Sequence, residues 1–195
     1  YLLTYAPTLA LAIINNPTKT YDGNTTATLS SNNYSLTGGA VGGDNVSLVT
    51  ANLPTSGVYN DPNVVGATSV TVASVNPSAV SATQTLAGPK TVNVYGYTVS
   101  PNTTGPGSIT PAALGVYATP TYNGGTSFGI NGGTSGNGTV DTGGTVKVAG
   151  LVNGEKLSGF ALNNANVSSA TKVTGVTISG GNARASNYVI NSGVY

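Results

Sequence analysis

The acid–base and ligand chemistry open to this chain rests on five carboxylates, Asp22, Asp44, Asp61, Asp141 and Glu155, because its 195 residues include no His and no Cys. Nucleophile systems of the Ser–His–Asp or Cys–His kind cannot be assembled from such a set, nor can imidazole or thiolate metal centres. The carboxylates themselves are poorly spaced for catalysis. Val140-Asp141-Thr142-Gly143 has the loop sequence of an aspartic protease, but that chemistry needs two carboxylates sharing a proton. No second Asp-Thr-Gly or Asp-Ser-Gly occurs. A glycosidase needs a facing pair of acids, and no spacing here singles one out. Gly136 to Asp141 bears only a faint likeness to a calcium-binding nonapeptide repeat, and it occurs once, without the series that such sites require. Gly154-Glu155-Lys156 lacks the Gly-Lys-Ser/Thr order of a phosphate loop. The sequence predicts no enzyme, no cofactor and no metal.

Three of the acids, Asp22, Asp44 and Glu155, sit instead in elements that occur twice. Thr18-Lys19-Thr20-Tyr21-Asp22-Gly23 is echoed by Thr119-Pro120-Thr121-Tyr122-Asn123-Gly124, and Val41-Gly42-Gly43-Asp44 by Val152-Asn153-Gly154-Glu155. Exchanging a catalytic Asp for Asn would abolish its chemistry, whereas a turn-forming Asp and Asn both bond the backbone while the following Gly takes φ > 0. Tyr21, Asp22, Gly23, Gly43, Asp44, Tyr122, Asn123, Gly124, Gly154 and Glu155 are therefore expected to be structural turn residues.

Strands must carry these turns. Gly or Pro interrupts almost every window long enough for a helix. Short runs with β-type residues recur at Val46–Val49, Val70–Val72, Thr91–Tyr95, Val146–Val148, Val173–Ile178 and Tyr188–Ile190, some with clean period-two alternation. Asn-Gly pairs at 123–124, 131–132, 137–138 and 153–154 signal tight turns. Leu9 to Ile14 reads as a buried strand. The expected fold is all-β, two tandem small β-sandwich or β-grasp-like units with little or no helix. Order-preserving repetition places them at 1–107 and 108–195, with Pro101 to Pro111 as the junction.

Only 6% of residues are charged and the formal net charge is +1. The six basic residues are scattered, which argues against nucleic acid. No apolar run reaches the length of a membrane-spanning helix. Ser, Thr, Asn and Gly supply the polar surface. Eleven Tyr and two Phe are spread thinly, as core fillers would be, rather than clustered as in a sugar-binding face.

Thr18 to Gly23 followed by Gly43-Asp44-Asn45-Val46 resembles the YDG-type repeat of bacterial filamentous haemagglutinin-like adhesins. Leu151 to Glu155, Val173 to Ser179 and Asn187-Tyr188 resemble the MBG-type repeat of the same proteins, and Ile109 to Leu114 resembles the junction between such repeats. The first unit departs from the pattern in being longer between Thr55 and Leu86 and in lacking an Asn-Tyr close. The resemblance implies an extracellular, cell-surface segment of an adhesin or matrix fibre, with neighbouring repeats or like subunits as partners. Two alternatives stand beside it. A self-assembling filament subunit would use Leu9, Leu11 and Ile13 as an assembly strand, with Tyr1–Ala6 as the end of a preceding repeat. A carbohydrate-binding module would take surface glycans. Lys19 and Lys90 are candidates for covalent cross-links to Asn or Asp.

Overall fold

The computed structural model of the chain describes residues 8–38, 40–88 and 90–194. It is all-β, and its only helical segments among the described residues are 3-10 turns such as Pro77–Ala79 and Ala185–Asn187. The chain forms two compact units. The first comprises the chain up to Lys19, Thr25–Asn60 and Ala67–Ser108; the second comprises Thr20–Asn24, Asp61–Gly66 and the chain from Ile109 onward. Their main border falls beside Ser108. The sequence, however, assigns Thr20–Asn24 and Asp61–Gly66 to the first repeat, and by packing they belong to the second unit.

In the first unit, strand Thr8–Ile13 runs parallel to Thr98–Val99 and antiparallel to Tyr34–Thr37. Leu9, Leu11 and Ile13 point inward and are buried, as their alternation with Thr8 and Ala10 predicts. A second sheet has the order Thr103–Pro106, Ser69–Val72, Ser56–Tyr59 and Thr26–Thr28, all antiparallel. A third joins Asn45–Leu48, Val80–Leu86 and Lys90–Val94. Val70, Val72, Tyr59, Ala27 and Leu29 complete the core.

The second unit is built on Ala112–Pro120, where Ala112, Leu114, Val116 and Ala118 alternate inward. It is the inner strand of a sheet ordered Asn137–Thr139, Gly144–Ala149, Ala112–Pro120 and Tyr188–Val194. The last pair is parallel and in register from Ala112↔Tyr188 to Ala118↔Val194. A second sheet joins Ser127–Thr134, Lys156–Leu162 and Val173–Ser179. Phe128 and Phe160 stack at 5.3 Å on it, and both are buried with Leu157, Leu162 and Val173. Each fully buried Leu or Val contributes roughly 1.5–3 kcal/mol.

Pro101–Pro111, the expected junction, brackets the border beside Ser108 and is built of strands: Thr103–Pro106 pairs with Ser69–Val72 and Ser108–Thr110 is itself a strand. Thr103–Pro106 lies at a sheet edge, where the missing N–H of Pro106 costs no ladder bond. Of the Asn-Gly pairs, Asn137–Gly138 lies in a strand, and Asn131–Gly132 lies in strand Ser127–Thr134, where the pairing register shifts. Gly132 and Gly133 both have positive φ there, the conformation of a bulge rather than a hairpin. The expected preceding-repeat strand, Tyr1–Ala6, lies outside the described residues.

Candidate functional site

Among the described residues, the one cluster in which acidic and phenolic groups converge away from water is inside the second unit. Its floor is the turn Val152–Glu155, closed by a bond from the Glu155 N–H to the Val152 carbonyl at 3.0 Å. Asn153 and Gly154 both take left-handed φ, 54° and 71°, a conformation that Asn and Gly tolerate best. The turn delivers Glu155 inward, where it is 1% exposed, and strand Lys156–Leu162 starts directly after it.

Two tyrosines satisfy this carboxylate. Tyr188 opens the closing strand; its hydroxyl donates to Glu155 Oε2 and accepts the Val152 N–H at 3.2 Å. Tyr21 donates to Oε1 at 2.6 Å. The two rings meet edge to face, 5.4 Å between centroids. Tyr21 is held in place from both sides. Its N–H donates to the Thr110 carbonyl at 2.8 Å. Asp22 Oδ1 then accepts the Asn24 N–H at 3.1 Å, and Gly23 turns the chain at φ 79°. The Gly23 carbonyl accepts from the side-chain amides of Asn153 (3.3 Å) and Asn182 (3.1 Å), and a Cβ on Gly23 would collide with Asn153.

Asn187, with no exposed surface, ties in the other inserted segment. Its Nδ2 donates to Asn63 Oδ1 at 2.8 Å, and its Oδ1 accepts the Val64 N–H at 3.0 Å. Asp61 Oδ1 in turn accepts the Asn63 backbone and side-chain N–H groups. Those two bonds, the backbone one foremost, hold the Asp61 carboxyl below the usual range, with Arg184 assisting. Burial, reinforced by bonding to Glu155, pushes both the Tyr21 and Tyr188 phenols well above their ordinary value. Phenols kept protonated and a carboxylate sealed from solvent cannot reach a substrate. What this cluster can do is lock segments together, by charge-assisted bonds.

The first unit holds a partial copy. The turn Val41–Asp44 is closed by the Asp44 N–H on the Val41 carbonyl at 3.1 Å, with Gly42 and Gly43 at positive φ. Tyr97 donates to Asp44 Oδ2 at 2.7 Å and accepts the Val41 N–H at 2.9 Å. The Val41 bond pulls the Tyr97 phenol down, but desolvation and Asp44 together leave it raised. Asp44 and Tyr97 are only half-buried, and no second tyrosine hydroxyl is bonded to Asp44 among the described residues. The counterpart of Asn153 in this turn is Gly42, and the residue before Tyr97 is Gly96 where Asn187 precedes Tyr188.

The Tyr122 turn is likewise a copy of the Tyr21 turn. Asn123 Oδ1 accepts the Gly125 N–H at 2.9 Å, and Gly124 has φ 81°. Tyr122, however, is 61% exposed and a Cβ on Gly124 would meet nothing. All ten expected turn residues thus lie in turns or close beside them, but they are not equivalent: Tyr21, Gly23, Gly154 and Glu155 are brought together, while Tyr122, Asn123 and Gly124 are not part of that cluster.

Sequence reasoning missed Asn63, Tyr97, Asn182 and the role of Asn187. It also missed a third echo. Asn60 Oδ1 accepts the Thr68 and Ser69 N–H groups, and Asn163 Oδ1 accepts those of Thr171 and Lys172. Asn60-Asp61-Pro62-Asn63-Val64 against Asn163-Asn164-Ala165-Asn166-Val167 was the available signal.

The remaining candidates are separate from this cluster. Leu9, Leu11 and Ile13 lie in a strand paired on both sides in the first unit. Lys19 places its Nζ 5.6 Å over the Tyr59 ring, and Lys90 is exposed on a strand. Asp141 caps its own turn through the Thr142 N–H. No three acidic side chains gather among the described residues. Tyr34 and Tyr59 are buried one by one, whereas Tyr95 and Tyr122 are exposed.

Residues 5–84 match the model of the YDG domain, so the chain carries a YDG-type domain. No curated protein and no solved structure matches the chain.

Proposed function

We propose that this chain is a structural, adhesive-type repeat segment of a secreted bacterial surface adhesin or extracellular matrix fibre, and that it catalyses nothing. The observation that carries the reading is the clamp in the second unit. Its first strand, Ala112–Pro120, and its last, Tyr188–Val194, are parallel neighbours over seven registered pairs. Pulling such strands from their outer ends loads them along their length, so the ladder bonds share the force instead of peeling one at a time. The use of the acids supports the same reading. Each of the five carboxylates accepts a hydrogen bond that closes a turn or ties a strand. The YDG-type domain and the MBG-like second repeat fit tandem display.

Single-molecule stretching of the full chain tests it. The expected trace has two unfolding events of unequal force, the larger from the second unit, whose parallel strand pair has seven registered positions, against two in the parallel pair of the first unit. Release of the second unit at a force no greater than the first overturns the load-bearing reading.

A further inference from the structure

Strand Lys156–Leu162 gives the second unit two distinct ends. The Glu155 turn lies before its first residue and the Asn163–Thr171 loop after its last, roughly 20 Å apart at about 3.3 Å per residue. The Glu155 end is an acceptor. It is filled by two turns from the first sequence repeat: the Tyr21 turn on Glu155, and the Asn60–Gly66 loop on Asn187.

The far end of the same unit carries duplicates of both filling turns. Tyr122-Asn123-Gly124 reproduces the Asx turn and the positive φ of Tyr21-Asp22-Gly23. The Asn163 loop reproduces the framework of the Asn60 loop: Asn163 Oδ1 takes the Thr171 and Lys172 N–H groups as Asn60 Oδ1 takes those of Thr68 and Ser69, and Asn164 Oδ1 accepts the Asn166 N–H as Asp61 Oδ1 accepts that of Asn63. The inserted copies are buried, Asn63 being 6% exposed and Tyr21 2%. The duplicates are bare. Tyr122 and Val167 (75% exposed) line one shallow apolar cavity with Pro120, Ala165 and Ala170. Neither Tyr122–Gly125 nor Asn163–Thr171 contains a charged residue, so covering them desolvates no ion.

We propose that this bare end is a donor surface whose occupant is a further repeat unit of the second kind, one bearing an Asn-Gly-Glu turn and an Asn-Tyr close. Tyr122 donates its hydroxyl to the glutamate of that unit, as Tyr21 does to Glu155, and Asn166 meets the asparagine of its close, as Asn63 meets Asn187. The Asp44 turn is the poorer fit: its acid is one methylene shorter, and Gly42 and Gly96 supply none of the amides given by Asn153 and Asn187. A Glu-type repeat therefore receives, and the Asp-type first unit does not. The contact is heterologous, donor end to acceptor end, the geometry that propagates an array. The proposal rests on the tandem-repeat reading above.

The test compares the full chain with the same chain extended by a second copy of residues 109–195 after Tyr195. Tyrosine nitration, mapped by peptide mass, reads the exposure of Tyr122. The expected result is nitration of Tyr122 about tenfold slower or more in the extended chain, since modification then requires local opening. Tyr122→Ala is expected to lower the melting midpoint of the appended repeat while leaving the 195-residue chain unchanged. Equal nitration in both chains overturns the proposal, and so does an appended repeat that never folds. Protection of Tyr122 that appears in the 195-residue chain as its concentration rises assigns the surface to a second copy, and overturns it too. Two force events from the parent chain alongside equal nitration would retain the load-bearing reading and remove the interlock alone.

Discussion

The two acid turns of this chain have the same backbone conformation and the same tyrosine–valine bonding, yet one is a core and the other a surface feature. At Val152–Glu155 the acid is fully enclosed and takes two phenol donors. At Val41–Asp44 it is half-buried and takes one. The difference arises in what covers each turn. Tyr21 and the Asn63 loop remove Glu155 and Asn187 from water, and once water is gone every bond in the cluster becomes obligatory. A hydrogen bond that water can replace is worth little, and the same bond in a dry site is expensive to lose.

That contrast can be broken directly. Glu155→Ala strands two buried hydroxyls, and is expected to cost about 3 kcal/mol or more in a urea titration. Asp44→Ala should cost about 1 kcal/mol or less, because water replaces the carboxylate. Similar losses at the two sites would show that burial does not set their difference. Asn187→Ala sharpens the same point without touching a charge. It leaves Asn63 Oδ1 and the Val64 N–H without their partner, for an expected loss of about 2 kcal/mol. Hydrogen exchange should register it as faster exchange at Val64.

Alkali gives a smaller and graded effect. Tyr21 and Tyr188 have folded pKa values above the ordinary 10, and burial pushes Tyr34 of the first unit up to about 12. An unfolded chain ionises first as the pH passes 10, while the folded chain keeps its protons. Stability is therefore complete below about pH 10 and declines as the pH rises above it. Tyr97 of the first unit is raised as well but lies only half-buried; with both of its raised phenols buried on Glu155, the second unit should lose more, and Tyr188→Phe should flatten its decline. A urea midpoint followed from pH 9 to about 12 reads both slopes.

Much of this was legible in the sequence where contrast was high. Alternation of Leu9, Leu11 and Ile13 is plain in one dimension because a strand buries every second residue, whereas the strand Ala112–Pro120 reads in part as a junction, because Pro111 and the small Ala112 and Ala113 mask its period. The Tyr-Asp-Gly and Gly-Asp/Glu echoes were likewise visible. The pairing of Tyr21 with Glu155 was not, because local pattern has no access to a contact across 134 positions. The Asn60 and Asn163 loops escaped for a different reason: Asn among Ser, Thr and Gly has no compositional contrast, and only the bonds distinguish it. Tyr97 was hidden because Gly96 removes the Asn that marks the corresponding close at Asn187-Tyr188.

The separation of Tyr21 from Glu155 also orders events in time. A chain made from its N-terminus presents the Tyr21 turn long before its acceptor exists, since the two lie 134 positions apart. Until Glu155 and Tyr188 arrive, Thr20–Asn24 and Asp61–Gly66 have no unit to belong to. The Tyr21 turn is thus seated only once the Glu155 turn and the closing strand have been made, and the fastening runs one way along the chain. Its long-range closure is slow by the topology of the contact, and its direction is that of synthesis.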